Sequence, residues 1–128
     1  MSTESQDYHV LVVDDERDIR DGSERILTRK GYKVTTASNG EEALRHVEET
    51  RFAIVLLDLK MPGMDGLEVL RLIHESYPET LVIVITGYAT IETAIEAMKR
   101  GAYDFMPKPF KPDQLRIVVD RAIELKQL

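Results

Sequence analysis

Apolar residues gather in three short runs, Val10 to Val13, Ile54 to Leu57 and Leu81 to Ile85, each followed by polar residues. Runs this short and this rich in β-branched side chains predict strands covered on both faces, not helices. Two weaker runs complete the set. Lys33 to Ala37 follows Gly31, and Tyr103 to Met106 follows Gly101, each glycine standing where a preceding helix would stop. Between the runs the apolar period becomes helical. Ile91, Ala94, Ile95 and Met98 predict one stripe, and Leu115, Val118, Val119, Ala122 and Ile123 a second, of the kind a helix turns to its core. Asp65 ahead of Glu68 and Asn39 ahead of Glu42 have the spacing of a capping box and predict helix starts. Asn39-Gly40 is read as a helix entry, not a hairpin, because Glu41 to Leu44 continue with good helix formers. The first helix carries one departure: Ser23 falls on its expected core face, beside the weak helix former Gly22.

Five alternating βα units with short connections imply an α/β fold, a doubly wound five-stranded parallel sheet with helices on both faces. A chain of 128 residues supplies one such domain. Residues 1–7, polar and acidic, are expected to form a flexible N-terminal tail, and residues 8–128 one packed unit. The excess of 23 acidic over 17 basic residues, a net charge of −6, disfavours direct contact with nucleic acid or anionic lipid. With no Cys there is no disulfide framework, thiolate metal site or cysteine nucleophile. No apolar run approaches the roughly 20 residues that cross a bilayer, so no membrane span is expected. The start of the chain lacks the basic flank and apolar stretch of a signal peptide, which leads to the expectation of a cytoplasmic protein.

In an open parallel sheet, ligands bind beyond the carboxyl ends of the strands. There the sequence places Asp14-Asp15, Asp58, Thr86 and, after the fifth strand, Lys108. Each has an ordinary explanation alone: a helix cap, a loop carboxylate, a turn hydroxyl, a solvated lysine. Together they bring three carboxylates, a hydroxyl and an ammonium to one sheet edge from four strands. Three close carboxylates repel unless a proton or a cation intervenes. Oxygen-only ligands of this number suit Mg2+, which commonly completes its shell with a phosphate oxygen. A carboxylate can act as nucleophile in phosphoryl transfer, with Lys108 and the cation stabilising charge and Thr86 placed to hydrogen-bond the acquired group.

The motifs Val12-Val13-Asp14-Asp15, Asp58-Leu59-Lys60-Met61-Pro62-Gly63-Met64-Asp65-Gly66, Thr86-Gly87-Tyr88 and Lys108-Pro109-Phe110, in this order and spacing, make the chain from Tyr8 to Leu128 resemble a response regulator receiver domain of two-component systems. The segment Gly101 to Phe110 and the last helix are similar to receivers of nitrogen-regulation and sigma-54-dependent transcriptional activators. The resemblance implies a flavodoxin-like sheet of order 2-1-3-4-5. It implies that Asp58 accepts a phosphoryl group from a phosphohistidine of a sensor histidine kinase. By the same resemblance, Asp15, Asp58 and the Lys60 backbone carbonyl ligate Mg2+, and Asp14 acts mainly through water. Lys108 should pair with Asp58 or its phosphate, ahead of a cis bond to Pro109. Thr86 and the aromatic Phe105, which stands where a tyrosine is common, are the implied switch residues. Lys60 and Tyr88 hold the positions that flank the path of attacking water, and their bulk implies slow self-dephosphorylation.

His9, His46 and His74 share no metal-ligand spacing and are read as solvated or partly buried. Ile117, Leu125 and Leu128 lie off the core stripe of the last helix, and the face made by the fourth helix, fifth strand and fifth helix is the expected partner or homodimer surface. The chain is expected to be a phosphoacceptor and not an enzyme, and the helical pattern still running at Leu128 suits part of a longer regulator whose effector lies outside it. A stand-alone relay receiver is the competing reading. A hydrolase of the haloacid dehalogenase type is disfavoured because its Asp-x-Asp after the first strand reads Asp14-Asp15-Glu16 here. A receiver-like module that takes no phosphate is disfavoured by the complete set of five residues, and nucleotide binding by the lack of a glycine-rich phosphate loop.

Overall fold

A computed structural model describes residues 8–128. The expected tail at residues 1–7 lies outside the described residues. Five strands, β1 (His9–Val13), β2 (Lys33–Ala37), β3 (Ile54–Leu57), β4 (Leu81–Thr86) and β5 (Asp104–Pro107), alternate with five helices. These are α1 (Arg17–Arg29), α2 (Gly40–Glu49), α3 (Gly66–Ser76), α4 (Ile91–Lys99) and α5 (Pro112–Gln127). The sheet is wholly parallel in the order β2-β1-β3-β4-β5.

The alternation of side chains along a strand divides the core in two. Leu11, Val13, Val55, Leu57, Val82 and Val84 pack with Ala43, Val47, Val69, Leu70, Ile73 and Ala97, so α2, α3 and α4 cover one face. Val10, Val12, Ile54, Leu56, Ile83 and Ile85 pack with Leu27, Leu115, Val118, Val119 and Ile123, so α1 and α5 cover the other. Each fully buried Leu, Ile or Val of these strands contributes about 1.5–3 kcal/mol by leaving water. The central strands are buried on both sides, which is why their sequences read as unbroken apolar runs.

The caps follow local chemistry. Asn39 accepts a hydrogen bond from the Glu42 amide at the start of α2, and Asp65 accepts one from the Leu67 amide at the start of α3. Neither forms the full reciprocal box: Glu42 reaches back to the amide and hydroxyl of Ser38, and Glu68 pairs with Arg71. α1 runs unbroken through Gly22, with Ser23 buried on its inner face. Gly66 is required by a close approach, since a Cβ there would stand 2.4 Å from the Leu59 backbone. That contact lets α3 begin directly against the loop that follows Asp58.

One sequence expectation is corrected. The stripe Ile91, Ala94, Ile95, Met98 does not turn to the core: Ile91 is 79% exposed, Ile95 49% and Met98 48%. The helix packs instead through fully buried Ala97, with Thr93 and Ala94 half-covered beside it. A period of 3.6 fixes which residues share a face but not which way the face looks, and a small alanine contact lets a helix sit close to the sheet. Ile117, Leu125 and Leu128 are exposed, as expected for residues off the α5 stripe.

Candidate functional site

The sheet's register builds the site. Val13 pairs with Leu57 across β1 and β3, so the residues that follow, Asp14 and Asp58, emerge side by side. Backbone bonds run one step past the strands and hold them: the Asp14 amide donates to Ala37 O at 3.1 Å, and the Asp58 amide to Val13 O at 3.0 Å. On the far side, Thr86 pairs with Pro107, and the Lys108 amide donates to Thr86 O at 2.9 Å. The Lys108-Pro109 bond is cis, as the resemblance implied.

Asp14, Asp58 and Thr86 share one local device, a side-chain oxygen accepting from the amide two residues on. Asp14 Oδ1 accepts from Glu16 at 2.9 Å, Asp58 Oδ1 from Lys60 at 3.0 Å and Thr86 Oγ1 from Tyr88 at 3.2 Å. Such turns orient short polar side chains with little freedom. They leave Oδ2 of both aspartates aimed inward, where it meets the Lys108 ammonium at 2.7 Å for Asp14 and 3.0 Å for Asp58. A third carboxylate, Glu16 Oε2, meets the same ammonium at 3.0 Å from the solvent side.

Burial sets the electrostatics. It pushes the Asp14 carboxyl above the usual aspartate range, and the hydrogen bonds from Lys108 and the Glu16 amide oppose that only in part. Burial alone would lower Lys108, but its hydrogen bonds to Asp14, Glu16 and Asp58 outweigh it and hold the ammonium charged well above the ordinary lysine range. Asp14, Asp15, Glu16 and Asp58 can each present an oxygen within 4.8 Å of the others. One ammonium against four carboxylates leaves the pocket net negative. An all-oxygen, net-negative donor set fits a small hard dication and no soft metal.

Of the residues singled out in the sequence, Asp14, Asp15, Asp58 and Lys108 therefore form one cluster. Thr86 stands beside it, fully buried at the end of β4. Lys60 is exposed, and its ammonium lies 4.6 Å from the centre of the Tyr88 ring, a cation–π contact that joins the loops after β3 and β4. Phe105 is half-buried and packs against the α2–α3–α4 side of the core, outside the carboxylate cluster. Glu16 was not foreseen as a member. The signal was its place directly after Asp14-Asp15, but a glutamate entering a helix reads as solvated.

A family profile for the response regulator receiver domain matches residues 10–120. The chain belongs to the response regulator receiver domain family. A putative NtrX-like response regulator of Rickettsia bellii is 45% identical to this receiver over 93% of the chain and 25% of the relative. The nitrogen assimilation regulator NtrX of Azorhizobium caulinodans is 42% identical over 94% of the chain and 27% of its own length. The transcriptional regulator NtrC of Escherichia coli is 40% identical over 89% and 24%. The receiver thus spans about a quarter of the length of these curated relatives. A CheY-like receiver domain protein from Methanospirillum hungatei superposes with a TM-score of 0.91 at 32% identity, covering 94% of this chain and 96% of that one. The beryllofluoride-activated NtrC4 receiver domain dimer gives 0.86 at 40%, covering 91% and 96%.

This is accordingly an NtrX- and NtrC-like receiver of two-component systems. Receiver domains bind Mg2+ at an acidic pocket, and the cluster of Asp14, Asp15, Glu16 and Asp58 is such a pocket in character. Among the described residues, no helix is long and apolar enough to cross a membrane.

Proposed function

We propose that residues 8–128 form a phosphorylation-activated switch in which Asp58 accepts a phosphoryl group from the phosphohistidine of a sensor histidine kinase. The observation that carries this is the Lys108 ammonium, clamped 3.0 Å from Asp58 Oδ2 inside a net-negative pocket. A lysine there neutralises charge on a phosphoryl group as it arrives. In the transfer an Asp58 oxygen–phosphorus bond forms as the donor's nitrogen–phosphorus bond breaks. Asp14, Asp15, Asp58 and the Lys60 carbonyl would hold Mg2+, which when bound supplies further neutralisation of the phosphoryl oxygens. Lys108 then meets the new phosphoryl oxygens. Thr86 exchanges its hydrogen bond with the Tyr88 amide for one to the phosphoryl group, which releases the loop after β4 and links the site to α4. Phe105 has no hydroxyl to add a polar contact and can act in the switch only through its packing.

The domain is then a phosphoacceptor and not a turnover enzyme, working in the cytoplasm. It controls a transcription-regulating effector outside this chain, in line with its NtrX and NtrC relatives. Incubation with acetyl phosphate is expected to add one phosphoryl group when Mg2+ is present and none when EDTA removes it, read by intact mass. Uptake indifferent to the metal would contradict the reading.

Two further expectations arise here. By the family resemblance Lys60 and Tyr88 flank the path of attacking water to Asp58, and their side chains meet in a cation–π contact. The Lys60→Ala, Tyr88→Ala variant is therefore expected to lose its phosphoryl group several-fold faster than wild type. A mass time course after removal of the donor checks this, and an unchanged decay would refute it. The outward stripe of Ile91, Ile95 and Met98 on α4, with Ile117 and Leu125 on α5, supplies apolar surface for pairing two phosphorylated copies through the α4–β5–α5 face. Sedimentation velocity should then show a dimer that depends on phosphorylation and is lost in Ile95→Glu.

A further inference from the structure

Glu16 stands at the N-cap of α1, where Ser, Thr, Asp or Asn would bond the first free amides of the helix. Its side chain makes no such bond. The carboxylate instead crosses to Lys108, 92 positions away in sequence, and takes the last of the three hydrogen bonds an ammonium can donate. Its backbone is pinned for this by the hydrogen bond from its own amide to Asp14 Oδ1. The three partners of Lys108 are unequal. The Asp14 and Asp58 side chains are 4% and 5% exposed, whereas that of Glu16 is 61% exposed, at the rim.

A dication entering the pocket competes with Lys108 for Asp14 and Asp58. An ammonium that lost both would be left half-buried beside a like charge, a costly arrangement. Glu16, at the rim and outside the set of Asp14, Asp15, Asp58 and the Lys60 carbonyl proposed to hold the cation, is the one of the three partners left to Lys108. We propose that Glu16 is a positioning residue for Lys108, holding the ammonium at the mouth of the pocket when a divalent cation takes over Asp14 and Asp58. The residue thereby lowers the cost of metal entry and keeps Lys108 within reach of an incoming phosphoryl oxygen. This inference rests on the reading of the pocket as an Mg2+-dependent phosphoacceptor site.

The test is a thermodynamic cycle on Mg2+ affinity, measured by calorimetric titration for wild type, Glu16→Gln, Lys108→Met and the double variant. Glu16→Gln, which keeps length and loses charge, is expected to weaken Mg2+ binding by about three- to fivefold, the range of a partly exposed ion pair. With Lys108 already replaced there is no displaced ammonium to receive, so most of that loss should vanish. A second readout needs no Lys108 variant: with Mg2+ bound, the 15N signal of the Lys108 ammonium should be ordered in wild type and averaged in Glu16→Gln. An unchanged affinity in Glu16→Gln overturns the proposal. So does a loss undiminished in the Lys108→Met background, which would mean that Glu16 acts on the cation by charge alone, and so does a Lys108 signal indifferent to Glu16. The titration reads metal binding directly, so it decides the role of Glu16 whatever the protein does with a phosphodonor. A wild type that bound Mg2+ but took no phosphoryl group would count against the assignment of Asp58 alone.

Discussion

Replacing Lys108 by Met should destabilise the metal-free domain at pH 7 by about 3 kcal/mol, the lower part of the range for removing one partner of a buried ion pair. The lower part applies because one of its three partners, Glu16, is exposed and rehydrates at little cost. What remains is Asp14 facing Asp58 with no counter-ion, both almost fully covered. The penalty should depend on pH, with a sign that follows from Asp14. Burial already raises its carboxyl above the ordinary aspartate value of 3.8, and loss of Lys108 removes the main opposing influence. The folded variant therefore binds a proton more tightly than its unfolded chain. Its deficit is full at neutral pH and shrinks as pH falls through the raised value towards 3.8. Lys108 itself, raised in the folded wild type, contributes stability that is fully present below its ordinary value of 10.5 and is lost only above it, so it adds no slope in this window. Urea denaturation at pH 7 and pH 5 measures the difference. Mg2+ should restore part of the lost stability, because a dication at the carboxylates replaces the missing ammonium. Equal stability of variant and wild type at pH 7 without metal would show that the clamp carries no energy.

The second large effect is expected from Asp58→Asn, which should abolish phosphoryl uptake. The amide matches the carboxylate in shape, and its one oxygen can still accept from the Lys60 amide. The NH2 that replaces Oδ2 cannot accept from Lys108, which keeps Asp14 and Glu16, so the fold around it should stand. It cannot act as the nucleophile, because an amide oxygen has neither the charge nor the basicity of a carboxylate. Removing one of four clustered carboxylates also relieves repulsion, so the metal-free variant should be no less stable than wild type while binding Mg2+ more weakly. Loss of uptake with retained stability separates a chemical role for Asp58 from a structural one.

Much of this arrangement was legible in the residues. The runs at Val10, Ile54 and Leu81 give strands because their side chains are buried on both faces, and no other short element needs so many apolar neighbours. The polar residues that end them fall at one edge because parallel strands all point the same way. Asp14, Asp58 and Lys108 thus converge from sequence logic alone, while the strand order came from family resemblance. Other features needed three dimensions. The β5 strand is Asp104–Pro107, one residue later than the apolar run suggested, because pairing with β4 and not hydropathy sets its bounds. The outward turn of the α4 stripe depends on what Ala97 packs against, and periodicity carries no such information. Glu16 joins the site through a contact spanning most of the chain; its place after Asp14-Asp15 put it near the site but could not show that its side chain turns to Lys108.

The most direct test of the central claim is intact mass after incubation with acetyl phosphate and Mg2+, run in parallel on wild type and Asp58→Asn. A gain of one phosphoryl group by the wild type and none by the variant is the predicted result. A gain of the same size in Asp58→Asn, or none in a wild type shown to bind Mg2+, would contradict it.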